Sequence, residues 1–229
     1  MKCVRAADIL KPMLADAGRD LVQRTLGPIA ARLGNVNPNH LTVLGLFVSC
    51  VAGYAFFLTS RSPVFFLVAA ALGIVFGVID GLDGAIARAH GKASPWGDFL
   101  DHTCDRLSGL IALAGLGFSQ HMNAVLVLVL MLGTLWHGYL GTQMQASFGR
   151  RYYRGVGIAE SILFAVVYSV TAYTIHAFGL PFYFREPITG ATLSVSDTFA
   201  LAAIPLIVLG TVQRILLARA VGREAATHP

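Results

Sequence analysis

The sequence predicts an all-α polytopic membrane protein with six transmembrane helices, preceded by an N-terminal amphipathic helix at the membrane interface. Of the 229 residues, 55% are hydrophobic and only 13% are charged, about half the charged fraction of a typical soluble domain. Mean hydropathy is +0.67, and several charge-free stretches approach the length of about 20 residues that crosses a bilayer. This composition excludes a cytosolic enzyme and a disordered tail, and three cysteines do not indicate a secreted disulfide scaffold.

The first predicted element is the interfacial helix, residues 1–34. Apolar side chains recur every three to four positions between residues 5 and 33, and charged or polar side chains fill the opposite face. This pattern is typical of a helix that lies in the plane of the membrane with its basic face toward the lipid headgroups. A helix that binds a partner protein has the same pattern, and this alternative stays open.

Six predominantly apolar stretches follow and predict the transmembrane helices. The charge-free stretch 107–149 is too long for one helix, and the polar segment 119–123 divides it into the third and fourth spans. The domain that contains all the spans is expected at 35–222, with a cytoplasmic tail at 223–229. The predicted spans are 41–60, 63–79, 107–118, 124–149, 161–184 and 198 to about 218.

The basic residues predict the orientation. With six spans, the two termini and the links between spans two and three and between spans four and five share one side of the membrane. That side holds fifteen of the 17 Lys and Arg residues, and only Arg61 and Arg185 fall on the other side. The positive-inside rule therefore predicts an integral cell-membrane protein with both termini and the link between spans two and three in the cytoplasm.

Four aspartates lie in the link between spans two and three. Asp80 and Asp83 are three residues apart, and Asp101 and Asp105 are four apart, so each pair shares one helix face. The loop between the two helices is short, and the two faces are expected to meet. Four carboxylates at a membrane interface repel one another and require a cation, and oxygen ligands favour Mg²⁺ or Mn²⁺. Simple decoration of helix ends by charge would leave the desolvation cost unexplained.

Glycines interleave with these aspartates, as at a site that phosphate groups approach closely. The full pattern is Asp80 followed by Asp83-Gly84-x2-Ala87-Arg88-x8-Gly97-x3-Asp101-x3-Asp105. At every defined position and spacer length it resembles the signature of the CDP-alcohol phosphotransferase family. The predicted architecture, an interfacial helix and six spans with the motif between spans two and three, is also similar to that family.

This resemblance implies a reaction in which an acceptor hydroxyl displaces CMP from a CDP-linked alcohol and a phosphodiester lipid forms. The donor is expected to be CDP-diacylglycerol or its archaeal ether-lipid counterpart. The resemblance also implies a homodimer in the lipid bilayer, and no nucleic-acid partner is expected.

The resemblance further assigns roles to individual residues. Asp80, Asp83 and Asp101 are expected to bind a metal ion, Mg²⁺ or Mn²⁺. Asp105 is the expected general base and a ligand of a second ion. The expected contacts with the CDP moiety are Asn39, Thr42, Gly84, Arg88, Ser94 and Gly97.

The sequence leaves the acceptor alcohol open. The candidate acceptor-binding residues are Arg150, Arg151, Arg154 and Glu160, although the arginines equally fit positive-inside anchoring. The stretch 155–160 resembles that of inositol-phosphate-using members, with Ser161 at the position of their arginine.

Three alternatives to a CDP-lipid transferase remain at this stage. The first is the same chemistry with a small CDP-alcohol, of the choline, ethanolamine or inositol type, that donates to a lipid or to an inositol phosphate. The second is a divalent-cation transporter, although all four aspartates lie at one face of the membrane rather than at its midplane. The third is a non-catalytic lipid-binding scaffold.

Overall fold

The computed structural model describes residues 24–149, 158–187 and 190–227. Within these ranges the chain forms six long helices and one short β-hairpin. In chain order the elements are α1 (Pro38–Leu58), α2 (Val64–Ala89), α3 (Pro95–Phe118), α4 (Ala124–Phe148), α5 (Ile158–Ala177), β1 (Tyr183–Arg185), β2 (Thr192–Ser194) and α6 (Val195–Thr227). A shorter helical segment at 24–32 precedes α1.

The described helices confirm an integral, mostly helical membrane protein. Four of them, α1, α2, α4 and α6, are long and apolar enough to cross a bilayer. Large apolar side chains such as Phe47, Tyr54 and Trp136 remain exposed on them, as expected of lipid-facing residues. The other two long helices are more polar: α3 begins with the charged part of the motif, and α5 is rich in Ser, Thr and Tyr. The count of six spans therefore stays a prediction.

The described segment directly before α1 is held against the end of α2. The predicted interfacial helix covers residues 1–34, of which 1–23 lie outside the described residues. Nε2 of His90 lies 2.9 Å from the carbonyl oxygen of Ala30. The ammonium group of Lys92 donates to the carbonyl oxygens of Gly34 and Val36. These contacts place the segment before α1 beside the loop that joins α2 to α3.

Side-chain caps fix the points at which the helices begin. Asn37 caps α1 by accepting a hydrogen bond from the amide of Asn39, at 3.0 Å. Ser94 caps α3 in the same way, with the amide of Gly97 as donor at 3.0 Å. In both cases a proline follows the cap, a common arrangement because proline lacks the amide hydrogen that the first turn leaves unpaired. The predicted break at 119–123 separates α3 from α4, and Asn123 caps α4.

The predicted fifth span, 161–184, is wrong at its C-terminal end. Helix α5 ends at Ala177, because Gly179 takes a φ of +63° and Pro181 cannot continue a helix. Residues Tyr183–Arg185 instead pair with Thr192–Ser194 as an antiparallel hairpin. The segment that follows β1 thus contains the strand β2 and leads directly into α6.

An aromatic core closes the end of the bundle that lies away from the aspartates. Phe66, at the start of α2, packs edge-on against Tyr168 of α5 and stacks on Phe182. The His121 ring lies 5.5 Å from that of Phe66. Burial lowers the pKa of His121, and the neighbouring His176 adds to this effect. An uncharged imidazole is therefore favoured in this core.

Helices α1 and α3 touch through their backbones. A Cβ added at Gly115 would overlap the carbonyl oxygen of Gly53, so both positions require the absence of a side chain. About two turns nearer the aspartates, the hydroxyl group of Ser49 donates to that of Ser108 at 2.8 Å. Small residues at helix interfaces allow this close approach in membrane proteins. The contact fixes α3 against α1, and α1 in turn packs along α2.

This contact predicts the effect of adding one methyl group. Gly115→Ala should destabilise the protein by about 1–3 kcal/mol or more, because the new side chain meets backbone rather than a movable side chain. Gly109→Ala in the same helix is the control, since a Cβ there meets no described atom within 4 Å apart from the adjoining backbone of its own helix. Thermal unfolding in detergent should show a lower Tm for Gly115→Ala alone. Equal Tm values for the two variants would contradict the close contact.

Candidate active site

The four aspartates of the motif lie together where α2 ends and α3 begins. Helix α2 continues without interruption through Gly81 and Gly84 to Ala89, so Asp80 and Asp83 are fixed on its last turns. Asp101 and Asp105 lie on the first turns of α3. Asp83 is only 6% exposed, and the other three aspartates are half-buried. The sequence expectation that the two helix faces meet is confirmed.

Carboxyl groups of the two helices are in direct contact. The side chains of Asp80 and Asp105 share a hydrogen bond. Carboxylate oxygens of Asp101 and Asp105 and a ring nitrogen of His102 lie within 4.8 Å of one another. Two carboxyl groups this close share a proton unless a cation lies between them. Arg88 contributes one positive charge, which attracts Asp101, so the cluster as a whole still requires a cation.

The chemistry of the cluster fits a hard divalent cation. A narrow cavity between the helices is lined by Thr42, Asp80, Asp83 and Asp105, among others. The hydroxyl group of Thr42 donates a hydrogen bond of 2.6 Å to Oδ2 of Asp83 and thereby orients that carboxylate. A set of carboxylate oxygens with one ligand held by a neighbouring hydroxyl group suits Mg²⁺ or Mn²⁺.

Three of the residues predicted to contact CDP lie close to one another, at the starts of α1 and α3. A Cβ added at Gly97 would lie 3.1 Å from Oδ1 of Asn39 and 3.2 Å from Oγ of Ser94. Because Gly97 has no side chain, other groups can approach its backbone closely. Next to these residues is a cavity of about 300 Å³, which is lined by Asn35, Asn37, Pro38, Asn39 and Lys92.

The other three predicted CDP contacts have different surroundings. The guanidinium group of Arg88 folds back over Gly84, with Nη1 3.1 Å from where a Cβ would be. A side chain at position 84 would push Arg88 away from the site. The hydroxyl group of Thr42 is engaged with Asp83, so in this structure it supports a predicted metal ligand. Its contact with CDP stays a prediction.

The predicted acceptor residues are only partly described. Arg150, Arg151 and Arg154 lie outside the described residues. Glu160 is half-buried in the first turn of α5. The role of these four residues in acceptor binding therefore stays a prediction.

Two other arginines lie inside the bundle and were not predicted as site residues. Arg106, directly after Asp105, donates to the carbonyl oxygens of His102 and Gly138 at 2.9 and 2.7 Å. Arg214 of α6 donates to the carbonyl oxygen of His137. The two guanidinium groups thus donate hydrogen bonds to the carbonyl oxygens of two consecutive residues of α4. The sequence did carry a signal for Arg214, because an ionisable residue within an apolar span is a candidate functional residue.

Glycines make room for both arginines. A Cβ at Gly138 would lie 2.8 Å from Nε of Arg106, and one at Gly141 would lie 2.6 Å from Nη1 of Arg214. Within the described part of the chain, the acceptors of both arginines are carbonyl and hydroxyl oxygens rather than carboxylates. Nε of Arg214 is buried and has no hydrogen-bond partner there. In this part of the chain, therefore, neither guanidinium group is hydrogen-bonded to a carboxylate.

Comparison with known proteins gives consistent similarities. The family described as CDP-alcohol phosphatidyltransferase matches residues 35–224. An archaetidylinositol phosphate synthase from Pyrococcus horikoshii is 33% identical over 135 residues, 59% of this chain and 68% of that protein. An enzyme of the same name from Methanothermobacter thermautotrophicus is 33% identical over 172 residues, 74% of this chain and 83% of that protein.

The fold is also similar to that of a solved membrane enzyme. The crystal structure of phosphatidylinositol phosphate synthase from Mycobacterium tuberculosis with CDP-DAG bound aligns with a TM-score of 0.63 and 22% identity. The alignment covers 85% of this chain and 94% of that one. Another structure of the same enzyme contains manganese and citrate. At 22% identity, this similarity shows that the two proteins share a fold.

The hydrogen bond from Thr42 to Asp83 predicts how metal affinity responds to substitution. Thr42→Val should weaken Mn²⁺ binding by about 10-fold to 100-fold, the range found when a hydrogen bond to a metal ligand is lost. The measurement is the Mn²⁺ concentration that gives half of the maximal rise in Tm. Thr174→Val is the matched control, because Thr174 bonds only a carbonyl of its own helix in the described structure. An unchanged Mn²⁺ midpoint in Thr42→Val would show that Asp83 is not a ligand oriented by Thr42.

Proposed function

The chain belongs to the CDP-alcohol phosphatidyltransferase family, and we propose that the four aspartates at the α2–α3 junction are its catalytic centre. The protein is a membrane transferase of phospholipid synthesis, in which an acceptor hydroxyl displaces CMP from a CDP-linked alcohol. The observation that carries the proposal is the direct contact between carboxyl groups of the two helices. Family membership gives no support to the alternative of a cation transporter.

The carboxylates hold the metal in this proposal. Asp80, Asp83 and Asp101 are the ligands, and Asp105 contributes to a second ion. Mg²⁺ or Mn²⁺, when bound, polarises the phosphoryl oxygens and offsets the charge that develops on the departing CMP. The hydroxyl group of Thr42 keeps the Asp83 carboxylate oriented, and Arg88 offers a planar pair of N–H donors for phosphate oxygens.

Asp105 is the general base in this proposal. Its carboxylate accepts the proton of the acceptor hydroxyl as that oxygen attacks the phosphorus atom bonded to the donor alcohol. The bond between this phosphorus and the bridging oxygen breaks, and CMP leaves with the electron pair. The position of Asp105 supports this role, because its carboxyl group lies against Asp80 and close to Asp101. A bound cation would take the place of the shared proton there and leave a carboxylate able to accept one.

The donor in this proposal is a CDP-linked lipid. The membrane-facing flank of the site is apolar: Val43, beside Thr42, is 52% exposed, and Val78, near Asp80, is 47% exposed. Acyl or isoprenoid chains can lie along this flank while the nucleotide occupies the polar cavity near Asn39 and Lys92. A CDP-lipid can therefore reach the site laterally while its hydrocarbon chains stay in the bilayer.

The acceptor in this proposal is an alcohol that carries an anionic group, of the inositol-phosphate type. Arg106 and Arg214 support it, because they bring two positive charges into the bundle without a described acidic partner. Arg106 also reaches back to the carbonyl of His102, which lies beside the carboxylates. The names of the two archaeal relatives agree with such an acceptor.

The distribution of basic residues supports an orientation with both termini and the active site in the cytoplasm. The six-span count, the interfacial position of the N-terminal helix and a homodimer complete the proposed arrangement and stay predictions.

Release of CMP tests the proposed chemistry. Purified protein with Mn²⁺ or Mg²⁺ and a CDP-linked lipid should release CMP when the correct acceptor is added. Asp105→Asn should lower the rate by about 10²-fold to 10⁴-fold, the usual contribution of a general base. The rise in Tm on addition of the CDP-lipid should persist in this variant, since Asp80, Asp83 and Asp101 remain to hold the first ion and asparagine keeps one side-chain oxygen. Near-normal turnover by Asp105→Asn would refute its role.

A panel of acceptors tests the anionic group. Inositol phosphate and glycerol phosphate are compared with inositol, glycerol, serine and ethanolamine, and a diradylglycerol is paired with CDP-choline. We expect a phosphate-bearing acceptor to be used, and Arg214→Gln to raise its KM by about 10-fold or more, since hydrogen bonds to charged groups contribute about 1.5–3 kcal/mol. The exposed Arg219 of the same helix provides the control Arg219→Gln. Turnover only with a neutral acceptor, or only with CDP-choline, would overturn this part of the proposal.

A further inference from the structure

The loop after α2 directs Lys92 toward the segment that precedes α1. Gly91 takes a φ of +60°, and the amide of Lys92 donates to the carbonyl oxygen of Ala87 at 2.9 Å. Such a hydrogen bond after a left-handed glycine is a common way to end a helix, and it fixes the direction in which the chain leaves α2. The ammonium group of Lys92 then donates hydrogen bonds of 2.5 and 2.9 Å to the carbonyl oxygens of Gly34 and Val36.

These two carbonyls do not use the full hydrogen-bonding capacity of the Lys92 ammonium group. An ammonium group has three N–H donors and no acceptor, and within the described residues two of the donors are engaged. Lys92 also lines the cavity of about 300 Å³, together with Asn35, Asn37 and Asn39. The third donor of Lys92 is therefore available to a ligand in this cavity.

The position of the cavity indicates which part of a nucleotide would occupy it. Thr42, which bonds Asp83, lies one turn of α1 after Pro38, about 6 Å along the helix axis, and Pro38 lines the cavity. On α2, Asp83 is six residues before Ala89, the last residue of that helix, or about 9 Å. The cavity thus lies beyond the carboxylates, where α1 begins and α2 ends. A nucleotide whose phosphates are held at the carboxylates therefore has its nucleoside part in the cavity.

We propose that Lys92 is a specificity-determining residue for the donor nucleotide, and that its third N–H donor bonds the acceptor edge of cytosine. This edge carries O2 and N3, two adjacent acceptors, which suit a group that can only donate. Uracil has a hydrogen on N3 and offers a donor at the corresponding place. Lys92 thus favours a CDP-linked donor over a UDP-linked one.

The asparagines of the cavity complement the lysine. The side-chain oxygen of Asn37 is engaged by the amide of Asn39, whereas Asn35 is exposed at the cavity. A carboxamide has both donors and an acceptor, so it can accept a hydrogen bond from the exocyclic amine of cytosine, which Lys92 cannot. This inference rests on the proposed function, because the carboxylates must hold the phosphates for the base to reach Lys92.

The test compares the binding of CMP and UMP in the presence of Mn²⁺. Lys92→Met keeps most of the length of the side chain and removes the ammonium group. We expect the unmodified protein to bind CMP more tightly than UMP. Lys92→Met should weaken CMP binding by about 10-fold or more, because a hydrogen bond from a charged group is lost, and should weaken UMP binding less. The measurement is calorimetric titration in detergent, with UMP measured by competition with CMP.

His90→Ala is the matched control for a merely structural effect. Nε2 of His90 lies 2.9 Å from the carbonyl oxygen of Ala30, so this variant also loses a contact with the segment before α1. His90 is not among the described residues that line the cavity, and its substitution should leave the ratio of CMP to UMP affinity unchanged.

Three results would overturn the role of Lys92. They are an unchanged ratio in Lys92→Met, equal changes of the ratio in Lys92→Met and His90→Ala, and equal affinities of the unmodified protein for CMP and UMP. Failure of the unmodified protein to bind CMP at all would instead refute the proposed function. The two failures are thus distinguished by one set of titrations.

Discussion

Two helices bring four carboxylates into contact, and the rest of the structure must offset the electrostatic repulsion among them. Asp80 and Asp105 share a hydrogen bond across the α2–α3 junction, in surroundings too poor in water to screen their charges. Such a cluster is stable only with positive charge between its oxygens. The capped starts of α1 and α3, the bond from Thr42 to Asp83 and the close packing of α1 on α3 all hold the carboxylates together. The fold thus maintains an arrangement whose internal repulsion a bound cation would relieve.

The second electrostatic feature has the opposite sign and lies on the other side of α3. Arg106 and Arg214 are held by carbonyl oxygens of α4, which offset part of the cost of placing guanidinium groups inside a bundle. Carbonyl dipoles do not neutralise a full charge, so an anion remains attracted to this region. The carboxylate cluster and the arginine pair thus place opposite charges on two neighbouring residues of the same helix, Asp105 and Arg106.

Much of the site could be predicted from the sequence because its main residues are local. Spacings of three and four residues place Asp80 with Asp83 and Asp101 with Asp105 on one helix face, whatever the tertiary structure. The break at 119–123 was predictable from its polar residues. The contact of Gln145 with Asp98 and His102 was not, because it depends on how α4 crosses α3. The end of α5 was also missed, since the apolar residues of β1 continue the hydropathy of a span and only Gly179 and Pro181 mark the change.

The glycine contact between α1 and α3 also sets the precision of the chemistry. Gly115 and Asp105 are ten residues apart on one helix, which corresponds to about 15 Å of helix axis. The backbone contact at Gly53 is therefore a pivot point for α3, and Asp105, the proposed proton acceptor, lies well away from it along the same helix. A tilt of only about 4° at this point would move Asp105 by about 1 Å, given that axis length. A backbone-to-backbone contact leaves the helix little freedom to tilt. The position of Asp105 is thus fixed by packing deep in the bundle, about three helical turns away from it.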